Sequence, residues 1–97
     1  MGQEDGMLEC IKKRCGIASS VKVYDPDIRI YIEDCRADML ASGVPEDIAG
    51  SDSHAGALTA VTLYVKAYIG NDRADTEKYL ELYRNRVFRL SLEEGGT

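Results

Sequence analysis

Residues 25–45, DPDIRIYIEDCRADMLASGVP, decide the fold, because they carry both the start and the stop signals of one amphipathic helix. Asp25 can cap the helix, Pro26 fits its first position, and Asp27 adds negative charge to a first turn where the helix dipole favours it. Gly43 is placed to act as the C-cap. An apolar stripe runs between these ends at steps of four, three and four residues: Ile28, Ile32, Cys35 and Met39. The segment is therefore predicted to be a helix with one buried face.

Two further segments, one on each side, also have helical signals. Residues 7–15 place apolar side chains on one face at steps of three and four, and Gly16 follows where a C-cap is expected. Towards the other end, a polar turn contains Asp72 and Asp75, either of which can cap a last helix that reaches residue 92. The apolar face of that last helix is predicted to consist of Tyr79, Leu82, Tyr83, Val87 and Leu90.

Residues 55–69, which are followed by Gly70, form the most apolar part of the chain and are predicted to be the third helix. The polar positions fall on one narrow stripe at steps of three and four: Thr59, Thr62 and Lys66. A helix that is apolar around nearly all its circumference has to be surrounded, and we expect neighbours outside the subunit to complete its burial. The run 61–65 is rich in strand-forming side chains, so a strand is the competing prediction, but the length and the flanking caps favour a helix.

The chain as a whole is predicted to be one all-α domain, a small bundle of about four helices joined by short loops. The helical domain is expected at 7–92, with a flexible N-terminal tail at 1–6 and a flexible C-terminal tail at 93–97. Residues 17–24 are expected to connect the first two helices, with room for a brief extended piece, and 46–53 to form a loop.

The composition excludes several classes of protein. A net charge of −5 argues against sequence-specific DNA binding, because contacts to phosphates supply most of that affinity. No stretch approaches the roughly 18–20 apolar residues of a membrane span, and the polar, acidic N-terminus is unlike a secretory signal peptide. We therefore expect a protein that has no membrane association and stays in the cytoplasm where it is made.

Charge is distributed unevenly along the chain. Between residues 25 and 52 there are eight acidic side chains and only two arginines, whereas Arg84, Arg86 and Arg89 fall in a short run without any acid. Each region can be a solvated helix face and nothing more. The sharper interpretation is that the acidic surface of one subunit meets the basic surface of the next.

The residues that carry chemistry are few and poorly placed for it. His54 is the only histidine, and its position at a helix start predicts a capping or solvent-exposed role. Cys10 and Cys15 lie five residues apart on a helix, about 140° around its axis, so they cannot both bind one metal ion. These two and Cys35 are expected to be reduced thiols that pack as small apolar side chains. Without an EF-hand or phosphate-loop pattern, we predict no catalytic, cofactor or metal site and no enzyme.

The order of the helical segments is itself distinctive: MLECIKKRCGI at 7–17, DIRIYIEDCRADML at 27–40, AVTLYVKAYIG at 60–70 and TEKYLELY at 76–83. Over roughly residues 7–94 this order resembles the small head–tail connector proteins of long-tailed phages, also called DNA-packaging or head-completion proteins. Cys35 departs from the family's pattern, in which a small residue such as alanine is expected.

The resemblance implies a structural subunit, from a phage or a prophage, that forms a homo-oligomeric ring under the portal protein. Such a ring extends the DNA channel, lets DNA pass without sequence-specific binding, and offers a docking surface for an adjacent connector or tail-completion protein. It implies assembly in the cytoplasm of the host bacterium and a final location at the head–tail junction of the virion. The rival prediction is a small acidic helical module that regulates or binds other proteins.

Tyrosines provide the candidate subunit contacts. Six are present, and two pairs on the last two helices repeat at one helical turn, which places each pair on one face. Tyrosine is common at the core boundary and is also enriched at protein–protein interfaces, so both roles stay open. Combined with the polar stripe of the third helix and the basic face of the fourth, the predicted interface is Tyr64, Lys66, Tyr68, Tyr79, Tyr83, Arg84 and Arg86.

Overall fold

The computed structural model describes residues 3–69 and 73–93, and this part of the chain folds entirely into helices and their connections. The helices are α1 (Gln3–Arg14), α2 (Asp25–Ala41), α3 (Glu46–Ala49), α4 (Ala55–Ile69) and α5 (Arg73–Ser91). The predicted all-α fold is confirmed. No strand occurs within the described ranges: the connector at 17–24 forms none, and the run 61–65 is helical.

Helix α4 lies at the centre of the subunit, where it packs against α5, α2 and α1. Seven of its side chains are buried, including Thr62, whose hydroxyl donates a hydrogen bond of 2.7 Å to the Leu58 carbonyl oxygen. That bond allows a polar side chain to be buried on an otherwise apolar helix. Among its larger side chains only Tyr68 is exposed. The burial that we expected from outside the subunit is thus supplied largely by the subunit's own helices.

Two helix boundaries and the burial of one residue differ from those predicted. Helix α1 begins at Gln3, within the segment expected to be a tail, and the short helix α3 forms inside the predicted loop. Pro45 at the N-cap and the acidic pair Glu46 and Asp47 in the first turn favour that short helix. Leu82 is 43% exposed, so it lies outside the buried face of α5. Outside the described residues lie three predicted features: the end of the third helix at Gly70, the cap Asp72 and the tail beyond residue 93.

The ends of α1 and α2 are formed by glycines, as the sequence predicts. Gly16 has φ +77° and Gly43 has φ +94°, both in the left-handed region that an L side chain rarely adopts. After Gly43, the Val44 N–H donates to the Met39 carbonyl oxygen at 3.0 Å, which satisfies one of the free carbonyl groups at the helix end. Both helices therefore end at a glycine whose backbone conformation cannot continue the helix.

The connector between α1 and α2 is held by a buried lysine. The Lys12 side chain is completely buried, and its ammonium group donates to the carbonyl oxygens of Ser19 at 3.2 Å and Val21 at 2.6 Å. The same Nζ lies 2.9 Å from Oδ1 of Asp25 in an ion pair. The prediction that Asp25 caps α2 is wrong: Tyr24 is the N-cap, without a side-chain hydrogen bond, and Asp25 is the first residue of the helix. Its carboxylate turns inward because a buried ammonium group needs a counter-charge.

Candidate assembly surface

Tyr83 is the centre of a polar contact inside the subunit. Its hydroxyl donates a hydrogen bond of 2.6 Å to Oδ2 of Asp38 and accepts one of 3.8 Å from the Cys35 thiol. Only 3% of Tyr83 is exposed, and burial, followed by the neighbouring Cys35 and Asp38, raises the pKa of its hydroxyl. Burial also raises the pKa of the Cys35 thiol to about 12, and this cysteine packs in the core as predicted. Tyr83 is therefore not on the surface where the sequence analysis placed it.

Three more tyrosine rings extend this contact outward. The Tyr64 ring lies 5.1 Å from the Tyr83 ring in an edge-on arrangement and 4.8 Å from the Tyr68 ring, and Tyr68 stacks on Tyr31 at 5.7 Å. Burial, followed by the charge of Tyr68, raises the pKa of Tyr64 to about 12. Tyr68 is 45% exposed. This row of four tyrosine rings joins α2, α4 and α5 and reaches the surface at Tyr68. Most of the row lies at the boundary of the core, and its exposed end at Tyr68 is accessible to another subunit.

Lys66 and Tyr79 form a separate pair. The Lys66 ammonium group lies 5.7 Å from the centre of the Tyr79 ring, within the range of a cation–π interaction. Both side chains are half-buried. This pair links α4 to the beginning of α5, and its contacts are again within one subunit.

The two predicted arginines lie on different sides of α5. Arg84 lines a groove with Asp38 and Ser42, at the end of α2. Arg86 lines another groove, of about 670 Å³, with Leu63 of α4. Residues two apart on a helix point about 160° away from each other, which explains the separation. The structure thus distributes the predicted interface residues over several places instead of one patch.

The apolar side chains that are exposed along the groove beside Arg86 were not predicted from the sequence. The groove beside Arg86 is lined on its α5 side by three exposed apolar side chains, with exposed fractions of 66% for Phe88, 69% for Leu92 and 43% for Leu82. Phe88 and Leu92 fall off the stripe of apolar residues that is buried in the subunit. This break in periodicity was the available signal. We name this surface the α5 face and define it by Leu82, Arg86, Phe88, Arg89 and Leu92.

A second exposed face, on α2, has the opposite charge. Steps of three and four residues align five exposed positions on one side of the helix, and Ile30 among them is 56% exposed. We name this surface the α2 face and define it by Asp27, Ile30, Asp34, Ala37 and Ala41. Within the described residues, Asp27 and Asp34 have no ion pair, and neither do Arg86 and Arg89. As far as the structure describes the chain, each face therefore has charged side chains without an ion pair next to an exposed apolar side chain.

His54 has the capping role that the sequence predicts. The Ala57 N–H donates to His54 Nδ1 at 3.2 Å, so Nε2 carries the proton of the neutral ring and donates to Glu93 Oε1 at 3.1 Å.

Among the residues with a described position, no three His, Cys, Asp or Glu side chains come together in a group that could hold a metal ion. In the same part of the chain, no helix combines the length and apolar character needed to cross a membrane.

Comparison with protein families gives a match. The model of a family described as phage connector protein matches residues 7–97. Neither a curated protein nor a solved structure matches the chain. The match includes all of α2 to α5 and most of α1, so both exposed faces lie inside it.

Proposed function

The chain belongs to the phage connector protein family, and from this premise we propose that it is a ring-forming subunit that joins the head of a long-tailed phage to its tail. The family match over residues 7–97 carries the proposal, since it covers the helical fold from α1 to the end of α5. Members of this family are structural proteins of phages. The chain is accordingly a virion-associated structural protein that interacts with other phage structural proteins.

In our proposal, identical subunits assemble into a closed ring under the portal protein. Two unlike exposed faces on one subunit support this arrangement, because a head-to-tail contact between different surfaces generates rings when the rotation closes. The exposed apolar side chains of the α5 face also support it, since large exposed apolar side chains that line one groove are typical of interaction sites. Assembly would take place in the cytoplasm of the host bacterium.

The ring extends the channel through which DNA leaves the head, and its free surfaces bind the portal on one side and an adjacent connector or tail-completion protein on the other. The net charge of −5 supports a passive channel, because an acidic wall repels phosphates and lets DNA slide past without being held. No sequence-specific contact to DNA and no chemical step is part of this function. We propose neither a cofactor nor a substrate.

Native mass spectrometry of the purified protein over a wide concentration range tests this function, together with electron micrographs of stained particles. We expect one discrete high-order oligomer that is ring-shaped in the images. A monomer at every concentration would contradict a ring that assembles by itself, and a small regulatory or protein-binding module would then be the better explanation. Retention on immobilised DNA at moderate salt would contradict the passive channel.

A further inference from the structure

We propose that the α5 face of one subunit binds the α2 face of a second copy of this chain, and that this contact is the repeating one in the ring. The inference rests on the proposed ring and adds the two surfaces that form it. Nine of the ten residues that define the two faces are exposed in the single subunit, and Arg86 is half-buried. The faces have opposite charge, and each combines charge with an exposed apolar side chain. Within the described part of the chain, the side chains that define the two faces form no hydrogen bond or ion pair, although Asp34 lies close enough to Tyr64 to contribute to its raised pKa.

Shape supports the pairing. The α5 face forms one side of a groove of about 670 Å³, whose other side includes Leu63 of α4. A groove with apolar walls is a common receptor for the protruding side of a helix. On the α2 face, Ile30 protrudes with 56% exposed, while Ala37 and Ala41 are small enough to let a neighbouring backbone come close. We therefore place Ile30 in the groove, against Phe88 and Leu82.

Charge determines the orientation. Arg86 and Arg89 lie beside the apolar side chains of the groove, and Asp27 and Asp34 lie beside Ile30, one helical turn away on either side. When Ile30 enters the groove, the two carboxylates come near the two guanidinium groups. Two copies of the α5 face repel each other, as do two copies of the α2 face, so like faces do not pair. The contact is consequently head-to-tail, and it leaves one face of each kind free to continue the ring.

A charge exchange between two variants tests the contact. The first variant, Arg86→Glu with Arg89→Glu, makes both faces acidic, and the second, Asp27→Lys with Asp34→Lys, makes both faces basic. We expect each variant alone to assemble at least about tenfold more weakly than the unmodified protein, because like charges meet at the contact. An equimolar mixture of the two is expected to restore assembly, with the variants alternating in equal numbers. Native mass spectrometry distinguishes them by mass.

The control Lys13→Glu with Lys22→Glu changes the net charge by the same amount as the first variant, at exposed positions outside both faces. We expect it to assemble like the unmodified protein. Circular dichroism of all variants checks that the helices are intact. Full assembly of each single-face variant alone would overturn the proposed contact and leave the ring itself standing. If the unmodified protein does not assemble, the proposed function fails and the contact fails with it.

Discussion

Among single side chains, Lys12 has the most demanding environment. An ammonium group has three donors, and two carbonyl oxygens and one carboxylate surround this one, from Ser19, Val21 and Asp25. Two of these acceptors belong to a connector without a helix or strand of its own. The side chain thus fixes the connector to α1 and to the start of α2. A buried charge of this kind is costly unless its partners remain in place.

We predict that Lys12→Met lowers the free energy of unfolding by about 3–5 kcal/mol, the usual result of removing one member of a buried ion pair. Methionine fills most of the space but leaves the Asp25 carboxylate without its cation. Urea denaturation followed by circular dichroism measures the loss. Lys13→Met is the matched control, because Lys13 is exposed on the same helix and its replacement should change the stability by less than about 0.5 kcal/mol. Equal stability of the two variants would contradict the role of the buried pair.

Tyr83 makes the stability depend on alkaline pH. The pKa of Tyr83 is raised above its ordinary value of 10.0 by burial, so the folded protein keeps the proton that the unfolded chain loses first. Its contribution to stability is fully present below about pH 10 and is lost as the pH rises further, by up to about 1.4 kcal/mol per pH unit. At neutral pH, Tyr83→Phe should cost about 1–2 kcal/mol because the hydrogen bond to Asp38 is lost.

We therefore predict that the difference in unfolding free energy between the unmodified protein and Tyr83→Phe narrows above pH 10. Urea denaturation at about pH 8 and at about pH 11 measures it, and the many groups that titrate in both proteins cancel in the difference. A gap that stays constant over this range would show that the tyrosine hydroxyl is not shielded in the folded state.

The roles of Lys12 and Tyr83 could not be predicted from the sequence, for the same physical reason. Asp38 is 45 residues before Tyr83, and the partners of Lys12 lie in a connector without periodicity. Local spacing places a lysine at a helix end and a tyrosine on a helix face. Only the packed fold brings their hydrogen-bond and ion-pair partners next to them. For Cys35, by contrast, the apolar stripe of α2 was enough to predict its burial, although its hydrogen bond to Tyr83 could not be predicted.

Among the helices, α2 was predictable because its signals are local and agree with each other. Its observed bounds, Asp25–Ala41, follow the proline and the acidic first turn at one end and Gly43 at the other, although Asp25 does not cap the helix. Helix α3 was missed, since four residues are too short to show a periodic pattern. The candidate surface was only partly predictable. The arginines of α5 indicated a basic region, and Phe88 and Leu92 fall off the apolar stripe of the sequence. Only the packing of α5 against α4 shows that these residues line one groove.

We predict that Gly43→Ala lowers the free energy of unfolding by about 1–2 kcal/mol, the cost of a left-handed backbone for a residue with a Cβ. Space is not the reason, because the nearest atom to a new Cβ is Ser91 Cβ at 3.9 Å. The neighbouring Ser42→Ala is the control, since Ser42 has φ −87° and its backbone tolerates any side chain. Thermal or urea denaturation measures both. An unchanged stability of Gly43→Ala would mean that α2 can end in another conformation.

For the subunit as an assembling unit, the relative size of apolar and ionic contributions decides how the ring responds to its surroundings. Burying the exposed part of Phe88 contributes on the order of 1–2 kcal/mol per contact. Each exposed ion pair contributes about 0–1 kcal/mol and is weakened by salt. Affinity in the proposed contact should therefore come mainly from the apolar side chains, and the charges should mainly select the partner and its orientation.

This balance gives a prediction for salt. Raising the salt from about 0.1 M to about 1 M shortens the Debye length from about 10 Å to about 3 Å, so it weakens the ion pairs and leaves the apolar contact in place. We expect Phe88→Ala to weaken assembly about tenfold at low salt. High salt should weaken the assembly of the unmodified protein by a smaller factor. Sedimentation over a concentration series measures both effects. Leu40→Ala, which removes an exposed apolar side chain outside both faces, should have no effect. The reverse order, with salt dissociating the ring and Phe88→Ala leaving it intact, would mean that charge rather than apolar burial holds the subunits together.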